Sequence, residues 1–489
     1  MKKIIFTLVL IIGIQGVGIA IEDHDHEEFF KPVDIKNGSV LSVMDCVSTA
    51  FQNSPIVRRH KYNLDIAKSN VGMAKSQFFP TLGVGVGFYH ENNSDNETFA
   101  RRYRELPNVA VTLNQLIWDF GKSTSFIRME KFYQIGAEYE FMDSLCETIF
   151  DVKEKYYNVL KTKALVEISS NNGAINKHFV DIAKNRPDRL TAQIHLKEAQ
   201  TGHVAAETDY ENAVVDLNNS MYIEGYPKFT IADTNTFTYK GDFDYSKSQP
   251  TIWNFKPETF AFSKDKAVDI AYKNSPDLRV LVASKKAMEQ NLLYIKRTYY
   301  PSLAANVGYG FNNSTEFTNN SLQVGVGLTS SVNLMHLKHS VKGASAQVKQ
   351  TENEVTLFKK DLYYEVRRAL NNVERSEKQI PIAQNEAQIA FENLKLVEQQ
   401  YKSGQLNYVA LQDARKDLIS AQTTYVDCLY NYNMALIQLE MAMHVHLVDI
   451  HHKSEHAMRY HAGELVEHLN KVLDCDQNED KGEYEDITL

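Results

Sequence analysis

The sequence predicts a mixed α/β membrane protein built from two structural repeats. Each repeat has an opening helix, a β-hairpin, a long helix and a returning helix. Residues 50–55 (AFQNSP) recur as residues 271–276 (AYKNSP), and the offset of 221 positions holds without gaps over about 40 residues. A glycine-rich alternating segment and then a long, proline-poor stretch follow each copy of this motif. The length is therefore explained by two copies of one unit rather than by three ordinary domains.

Composition excludes several classes of protein. Hydrophobic residues make up 43% and charged residues 24%, so the chain is not disordered as a whole. The net charge of −9 argues against a nucleic-acid binder, because such proteins carry a basic surface. Four cysteines, none in a CxxC pair, exclude a disulfide framework.

The N-terminus has the pattern of an export signal. Lys2 and Lys3 are followed by an apolar run over residues 4–14, and Gly18 and Ala20 are the small residues that precede a cleavage site. We expect residues 1–20 to be a secretory signal peptide, with a short membrane anchor as the alternative. The mature chain is then exported and starts with an N-terminal segment over residues 21–39.

Each repeat is predicted to open with an amphipathic helix, over residues 40–78 and 263–299. An Asn-Ser-Pro motif inside each helix should break or kink it, since proline removes a backbone donor. An aromatic pair followed by Pro80 or Pro301 ends each opening helix. The residue before a proline favours extended geometry, so these two prolines mark helix-to-strand junctions.

Four strands of about 10 residues follow, two in each repeat, in hairpins over about residues 81–117 and 302–332. One face of each strand is apolar and the other is small or polar, which suits lipid outside and water inside. The apolar faces hold Leu82, Val84, Val86, Phe88, Val109, Val111, Leu113, Leu303, Ala305, Val307, Tyr309, Phe311, Leu322, Val324, Val326 and Leu328. A soluble hairpin packed on a core is the alternative. The polar tips, residues 91–105 and 312–321, are predicted to be extracellular loops.

A long helix follows each hairpin, over residues 123–184 and 339–402. Val348, Val355 and Leu362 recur at seven-residue steps, which is typical of coiled coils. Some 60 residues would span roughly 90 Å. A polar turn, at residues 184–189 or 402–407, then leads into the returning helix, and Pro381 should kink the second long helix.

The predicted organisation assigns the whole chain. It comprises the signal peptide 1–20, the segment 21–39, repeat one at 40–223, a connecting segment at 224–262, repeat two at 263–445, and a His-rich then acidic tail at 446–489.

This pattern resembles the TolC family of outer-membrane efflux and secretion channels over about residues 40–445. The matching motifs are the two Asn-Ser-Pro helix starts, the FFPTL and YYPSL junctions at 78–82 and 299–303, LNQLIWDFG at 113–121, and QYKSGQL with LQDA at 400–406 and 411–414. Two stretches depart from the family pattern. Residues 333–338 and the first turn, 184–189, lack the expected glycine.

The resemblance implies a passive export duct rather than an enzyme. It implies a homotrimer whose 12 strands close one outer-membrane β-barrel in contact with lipid, which continues into a long α-helical barrel in the periplasm. The implied partners are a periplasmic adaptor and an inner-membrane pump of a tripartite efflux or type I secretion system. No cofactor and no nucleic acid are expected. The alternative is a non-conducting scaffold or a metal-binding cell-envelope protein that uses the same fold.

Candidate functional residues fall into two groups, since no catalytic motif is present. At the predicted second turn, the entrance candidates are Glu392, Glu398, Gly404 and Asp413; the alternative is that the three acids lie on a solvated helix face. Near the C-terminus, the metal-ligand candidates are His444, His446, His451, His452 and His456; the alternative is a solvated tail. Cys146 and Cys428 are predicted to be packed residues rather than a disulfide.

Overall fold

The computed structural model describes residues 35–94, 101–225, 227–232, 264–313 and 318–444. The predicted signal peptide, most of the connecting segment and the whole His-rich then acidic tail lie outside the described residues. Repeat one contains β1 (Val40–Leu41), α1 (Val43–Asn53), α2 (Pro55–Lys75), β2 (Thr81–Ser94), β3 (Arg101–Trp118), α3 (Lys122–Ile182) and α4 (Arg186–Ser220). The connecting segment contains β4 (Thr230–Ile231). Repeat two contains α5 (Lys264–Asn274), α6 (Pro276–Arg297), β5 (Ser302–Asn313), β6 (Thr318–Thr329), α7 (Leu334–Ser403) and α8 (Tyr408–Met443).

The two Asn-Ser-Pro motifs separate one helix from the next. Ser54 and Ser275 each accept a hydrogen bond on the side-chain oxygen from a backbone N–H three residues later, at 3.3 Å in both repeats. The following proline occupies the first turn of the new helix, where no backbone donor is required. Each predicted opening helix is therefore two helices, and the serine caps the second one.

The start predicted for the first opening helix is wrong by three residues. Val40 and Leu41 form a short parallel pair with Thr230 and Ile231 instead of a helical turn. Helix α1 begins after Ser42, whose side chain and backbone exchange hydrogen bonds with Asp45 in a capping box.

The four long strands form one antiparallel sheet in the order β2-β3-β5-β6. The strands run further than the sequence predicted, because backbone pairing continues through residues 91–94, 101–105, 312–313 and 318–321, which were expected to be loops. The side chains of these residues are polar, but the backbone hydrogen bonds between the strands continue through them. Within this sheet, β2 and β6 each have one unpaired edge.

The apolar faces of the two edge strands are exposed in the single chain. Val84 and Val86 on β2 are 67% and 69% exposed, and Val324 and Val326 on β6 are 73% and 67% exposed. The opposite face of the sheet carries the glycines and small polar residues. The assignment of the apolar face to lipid and of the small, polar face to water stays a prediction.

The helical body consists of two long hairpins. Helix α4 packs against α3, α8 packs against α7, and α3 joins the two hairpins through α8. Helix α7 continues through Pro381 without interruption over 70 residues. The described cysteines, Cys46, Cys146 and Cys428, are free thiols, and the latter two pack against hydrophobic clusters as predicted. None of the helices in the described ranges is both long and apolar enough to cross a membrane.

A buried ion pair fastens the end of α8 to the middle of α3. Lys153 Nζ lies 2.6 Å from Glu440 Oε2, and the two side chains are 4% and 1% exposed. Beside it, the Tyr156 hydroxyl donates a hydrogen bond to the Ala232 carbonyl, at 2.5 Å, just after β4. Polar contacts in this part of the body therefore join repeat one to repeat two and to the small β1-β4 sheet.

Candidate functional site

The turn between α7 and α8 is built around Gly404. This residue adopts φ +87°, a left-handed conformation that favours glycine, and its N–H closes the end of α7 on the Tyr401 carbonyl at 3.0 Å. Asn407 then caps α8 by accepting a hydrogen bond from the Ala410 N–H at 3.0 Å. The whole turn from Lys402 to Asn407 is exposed.

The turn between α3 and α4 also reverses the chain, but it does so without a glycine. Ala183 is extended and ends α3, and Asn185 caps α4 through the Asp188 N–H at 2.8 Å. Pro187 fits the first turn of α4 without losing a hydrogen bond. The extended Ala183 therefore ends α3 without a left-handed glycine, and Pro187 is accommodated at the start of α4.

A buried tyrosine links the two turns. The Tyr401 hydroxyl at the end of α7 donates a hydrogen bond to Asp188 Oδ2 at 2.9 Å and accepts one from the Lys184 N–H at 3.2 Å. Burial raises the pKa of Tyr401, and Asp188 raises it further, so the hydroxyl keeps its proton at neutral pH. The same residue packs against Tyr408 with ring centroids 6.1 Å apart.

A second set of polar contacts extends from α8 to α3. Arg415 donates from Nη1 to Asn172 Oδ1 at 2.6 Å and from Nε to Gln412 Oε1 at 2.9 Å. Gln412 in turn donates to the Tyr408 hydroxyl. Burial lowers the pKa of Arg415 and raises that of Tyr408 to about 12, and both groups keep their protons at neutral pH.

Glu398 forms the third contact between the hairpins. Its Oε1 lies 2.9 Å from His178 Nε2 on α3 and 2.5 Å from Lys402 Nζ on its own helix. We call the contacts of Tyr401–Asp188, Arg415–Asn172 and His178–Glu398 the tip network. It joins the α3/α4 hairpin to the α7/α8 hairpin across a hydrophobic cluster that includes Phe179, Leu394 and Leu411.

The predicted entrance residues divide between this network and the surface. Glu398 is buried within the network, whereas Glu392 and Asp413 are exposed on α7 and α8. Gln388, which lies one turn before Glu392 on the same helix, donates a hydrogen bond to its carboxylate at 3.1 Å. Sequence reasoning missed Tyr401, Asp188, Arg415, Asn172 and His178 as contact residues, because their partners are far apart in the chain.

The predicted junctions lie where the sheet meets the helical body. Pro80 and Pro301 each stand directly before the first residue of a strand, β2 or β5. Beside them, Phe120 stacks on Tyr300 with ring centroids 5.5 Å apart. Exposed aromatic rings at this level suit a membrane–water interface.

Different caps explain why residues 333–338 depart from the pattern of the first repeat. Asp119 accepts hydrogen bonds from the Gly121 and Ser123 N–H groups, at 3.2 and 2.7 Å, to start α3. Asn333 accepts from the His336 N–H at 3.1 Å to start α7, and this cap needs no glycine. At the junction of the first repeat, Arg297 at the end of α6 also donates a hydrogen bond to the Gly121 carbonyl at the start of α3, at 2.8 Å.

Of the predicted metal ligands, only His444 falls within the described residues. It ends α8 in a left-handed conformation, and burial lowers its pKa while Asp277 acts in the opposite direction. His446, His451, His452 and His456 lie outside the described residues. Over the described ranges, no three or more His, Cys, Asp or Glu side chains are grouped as a metal site would require.

We expect Gly404→Val to distort the tip turn and impair transport, because valine is strained at φ +87°. The β-sheet lies at the other end of α7, about 105 Å away along the 70 residues of this helix, so assembly and membrane insertion should be unaffected. Transport would be measured in cells, with Ser403→Val as the control at the neighbouring exposed position. Normal transport by the Gly404 variant would show that transport does not depend on the geometry of this turn.

Fold and tip geometry define a membrane-channel subunit with a four-stranded β domain and a long helical body. The family model for outer membrane efflux proteins matches residues 46–221 and 267–443, which is most of the chain and covers both repeats. The chain belongs to this family, and its function is accordingly that of an outer-membrane efflux channel. The family consists of channels rather than enzymes.

Solved structures share the fold. The CmeC outer-membrane channel of Campylobacter jejuni is 15% identical with a TM-score of 0.67, over 86% of this chain and 91% of that one. The open-state MtrE channel of Neisseria gonorrhoeae is 14% identical with a TM-score of 0.68, over 86% and 94%. VceC from Vibrio cholerae is 13% identical with a TM-score of 0.66, over 82% and 95%. No curated protein matches the chain.

Proposed function

We propose that three copies of this chain form a passive exit duct whose helical tips are opened by partner proteins. The carrying observation is the sheet β2-β3-β5-β6, which has two unpaired edges and an exposed apolar face. Unpaired strand edges are very costly in lipid, so the edges must be paired with further strands. Three copies would supply 12 strands, with β6 of one copy beside β2 of the next.

The helical body fits the periplasmic part of such a duct. Helices α3 and α7 contain 61 and 70 residues and would each extend for roughly 90–105 Å. Both turns lie at the end distant from the sheet. A periplasmic adaptor and an inner-membrane pump would therefore meet the chain at the exposed residues 402–407.

The tip network suits a gate held closed by polar contacts. Tyr401–Asp188, Arg415–Asn172 and His178–Glu398 all join the two hairpins of one chain. Partner docking that separates α7/α8 from α3/α4 would break these contacts together. Family membership favours this duct over the non-conducting scaffold considered from the sequence.

Planar lipid bilayers test the proposal. Detergent-extracted protein should be trimeric, and its incorporation should produce discrete conductance steps. A heat-stable folded monomer, or trimers that incorporate without conductance, would contradict the duct.

Substitutions by arginine on the two faces of β2 should have unequal effects. We expect Val84→Arg to lower stability by about 2–4 kcal/mol if it lies near the bilayer centre, since the side chain faces lipid. Gly85→Arg is the matched control on the opposite face, where a new Cβ would meet only the Ala110 carbonyl oxygen, at 4.0 Å. Denaturant titration of each variant in lipid vesicles would measure the difference. The reverse order of effects would invert the assignment of the two faces.

The corresponding substitutions on β6, Val326→Arg and Gly325→Arg, should differ less in their effect on stability. Gly325 is more crowded than Gly85, because a Cβ there would lie 2.7 Å from Asn306 Oδ1. Gly325→Arg therefore requires the Asn306 side chain to move, and we expect it to be tolerated less well than Gly85→Arg but better than Val326→Arg.

Metal binding by His444, His446, His451, His452 and His456 is a separate proposal that rests on the sequence pattern. Calorimetric titration of the full chain with Zn²⁺ should give a signal that the variant with all five changed to alanine lacks. An equal signal from the full chain and from the five-alanine variant would contradict metal binding by these histidines.

A further inference from the structure

The junction between the sheet and the helical body has a charge opposite to that of the chain as a whole. The segments next to the strand ends at this level are residues 71–80, 119–128, 292–301 and 330–339. They contain six lysines and arginines and one carboxylate, whereas the whole chain has 53 basic and 62 acidic residues. The carboxylate, Asp119, is buried and caps α3. The junction is therefore a basic zone in an acidic protein.

Two of the six basic side chains have partners within the protein. Lys122 Nζ lies 5.5 Å from the centre of the Tyr294 ring, and Arg297 donates a hydrogen bond to the Gly121 carbonyl. The other four are exposed, and over the described residues none of them has a carboxylate within ion-pair distance. These four, which we call the basic band, are Lys75, Arg128, Lys296 and Lys338.

The basic band is narrow and includes residues of both repeats. Lys75 is the last residue of α2, and Lys296 is one residue before the end of α6, at the equivalent position of the second repeat. Lys338 and Arg128 lie about 6 and 9 Å along α7 and α3 from the first residues of these helices. All four side chains are thus attached within about 10 Å of the helix ends that face the sheet.

Contacts within the chain do not explain this arrangement. A positive charge is favourable at a helix C-terminus, which suits Lys75 and Lys296, but Arg128 and Lys338 follow helix N-termini and gain nothing from the dipole. Further from the sheet, lysines pair with carboxylates, as Lys285 does with Glu352 at 3.1 Å. The basic band has no such partner among the described residues, so an anion outside the chain would complete it.

A belt of aromatic rings lies between the basic band and the strands. Its exposed members, which we call the aromatic belt, are Phe78, Phe79, Trp118, Phe120, Tyr299 and Tyr300. Lys75 and Lys296 each precede an aromatic pair by one turn, which places them about 5 Å further from the sheet. Aromatic rings are enriched at the membrane–water interface, and basic residues just beyond it attract the headgroups of anionic lipids.

We infer that the basic band binds the phosphate groups of anionic phospholipids in the leaflet that faces the helical body. Each chain contributes four positive side chains just beyond the aromatic belt, and a trimer would carry three such sets. The lipid supplies the negative charge that the protein lacks at this level and thereby fixes the height of the sheet in the membrane. The inference rests on the proposed duct, in which the apolar face of the sheet contacts lipid.

Quenching of tryptophan fluorescence by brominated lipids tests the inference, because Trp118 belongs to the aromatic belt. The chain has two tryptophans, so a Trp253→Phe background isolates Trp118. The full-length protein is reconstituted in phosphatidylcholine vesicles that contain either brominated phosphatidylglycerol or, at the same mole fraction, brominated phosphatidylcholine. We expect phosphatidylglycerol to bind beside Trp118 about fivefold more tightly, which is the contribution of one basic residue near an anionic surface.

A matched pair of variants separates the basic band from basic charge in general. The band variant is Lys75→Gln/Arg128→Gln/Lys296→Gln/Lys338→Gln. The control variant changes to glutamine three lysines and one arginine that are exposed on α7 further from the sheet, Lys349, Lys360, Arg375 and Lys378. The band variant should bind the two lipids equally, whereas the control variant should retain the preference of the parent.

The outcomes distinguish the lipid contact from the duct. Equal preference in the parent and the band variant, or no preference in the parent, would overturn the inference and leave the duct intact. A changed cation-to-anion selectivity in planar bilayers, with unaltered lipid preference, would place the band toward the lumen and also overturn it. No quenching by either lipid in a folded trimer would contradict the proposed barrel itself.

An ionic-strength series on the parent provides a test that needs no substitution in the basic band. Salt screens the attraction between exposed charges, so the preference for phosphatidylglycerol should fall toward one as ionic strength rises. A preference that persists at high ionic strength would overturn the inference, because it would come from lipid shape or chain packing rather than from charge.

Discussion

Glu440→Leu should destabilise the helical body by about 3–5 kcal/mol, because it leaves the Lys153 ammonium buried without its partner. The pair has a 2.6 Å separation and side chains that are at most 4% exposed. A buried charge without a counter-charge loses its hydration and gains nothing in return. Denaturant titration of the helical circular-dichroism signal, in detergent, would measure the change.

Two controls separate the burial of the charge from loss of an ion pair in general. The pair Lys285–Glu352 joins α6 and α7 at 3.1 Å, but its side chains are 29% and 58% exposed, so Glu352→Leu should change stability by about 1 kcal/mol or less. The double variant Lys153→Met/Glu440→Leu should recover most of the loss, since neither charge of this pair remains buried. Equal losses in Glu440→Leu and Glu352→Leu would contradict the assigned role.

The fold was predictable because its signals are local. The repeated Asn-Ser-Pro motif, the alternation from Leu82 to Val86 and the glycine at 404 each report on backbone geometry within a few residues. Left-handed φ at Gly404 follows from the missing Cβ alone. Local rules failed for Val40 and Leu41, because their pairing partners, Thr230 and Ile231, are 190 residues further along the chain.

The tip network could not be predicted for the same reason. Tyr401 and Asp188 are separated by 213 residues, and Arg415 and Asn172 by 243. Charge alone pointed to Glu392 and Asp413, which are exposed, as strongly as to Glu398, which is buried beside His178. Only the packing of one hairpin on the other distinguishes a contact residue from a solvated one.

Tyr401→Phe should raise the open population of the tip about 10- to 150-fold. The substitution keeps the ring but removes the hydroxyl that donates to Asp188 and accepts from the Lys184 N–H. A hydrogen bond to a charged group contributes about 1.5–3 kcal/mol, and each 1.4 kcal/mol corresponds to a factor of ten. The fraction of time spent at high conductance in planar bilayers would report the shift directly.

Tyr364→Phe is the matched control, because Tyr364 lies on the same helix and is 59% exposed. It should leave the conductance unchanged. Asp188→Asn should act in the same direction as Tyr401→Phe, since it removes the charge that strengthens the bond. The double variant should then exceed neither single variant by much, because both changes break one contact. Unaltered conductance in Tyr401→Phe, with the trimer intact, would place the closing contact elsewhere and leave Arg415–Asn172 and His178–Glu398 as the remaining links between the hairpins.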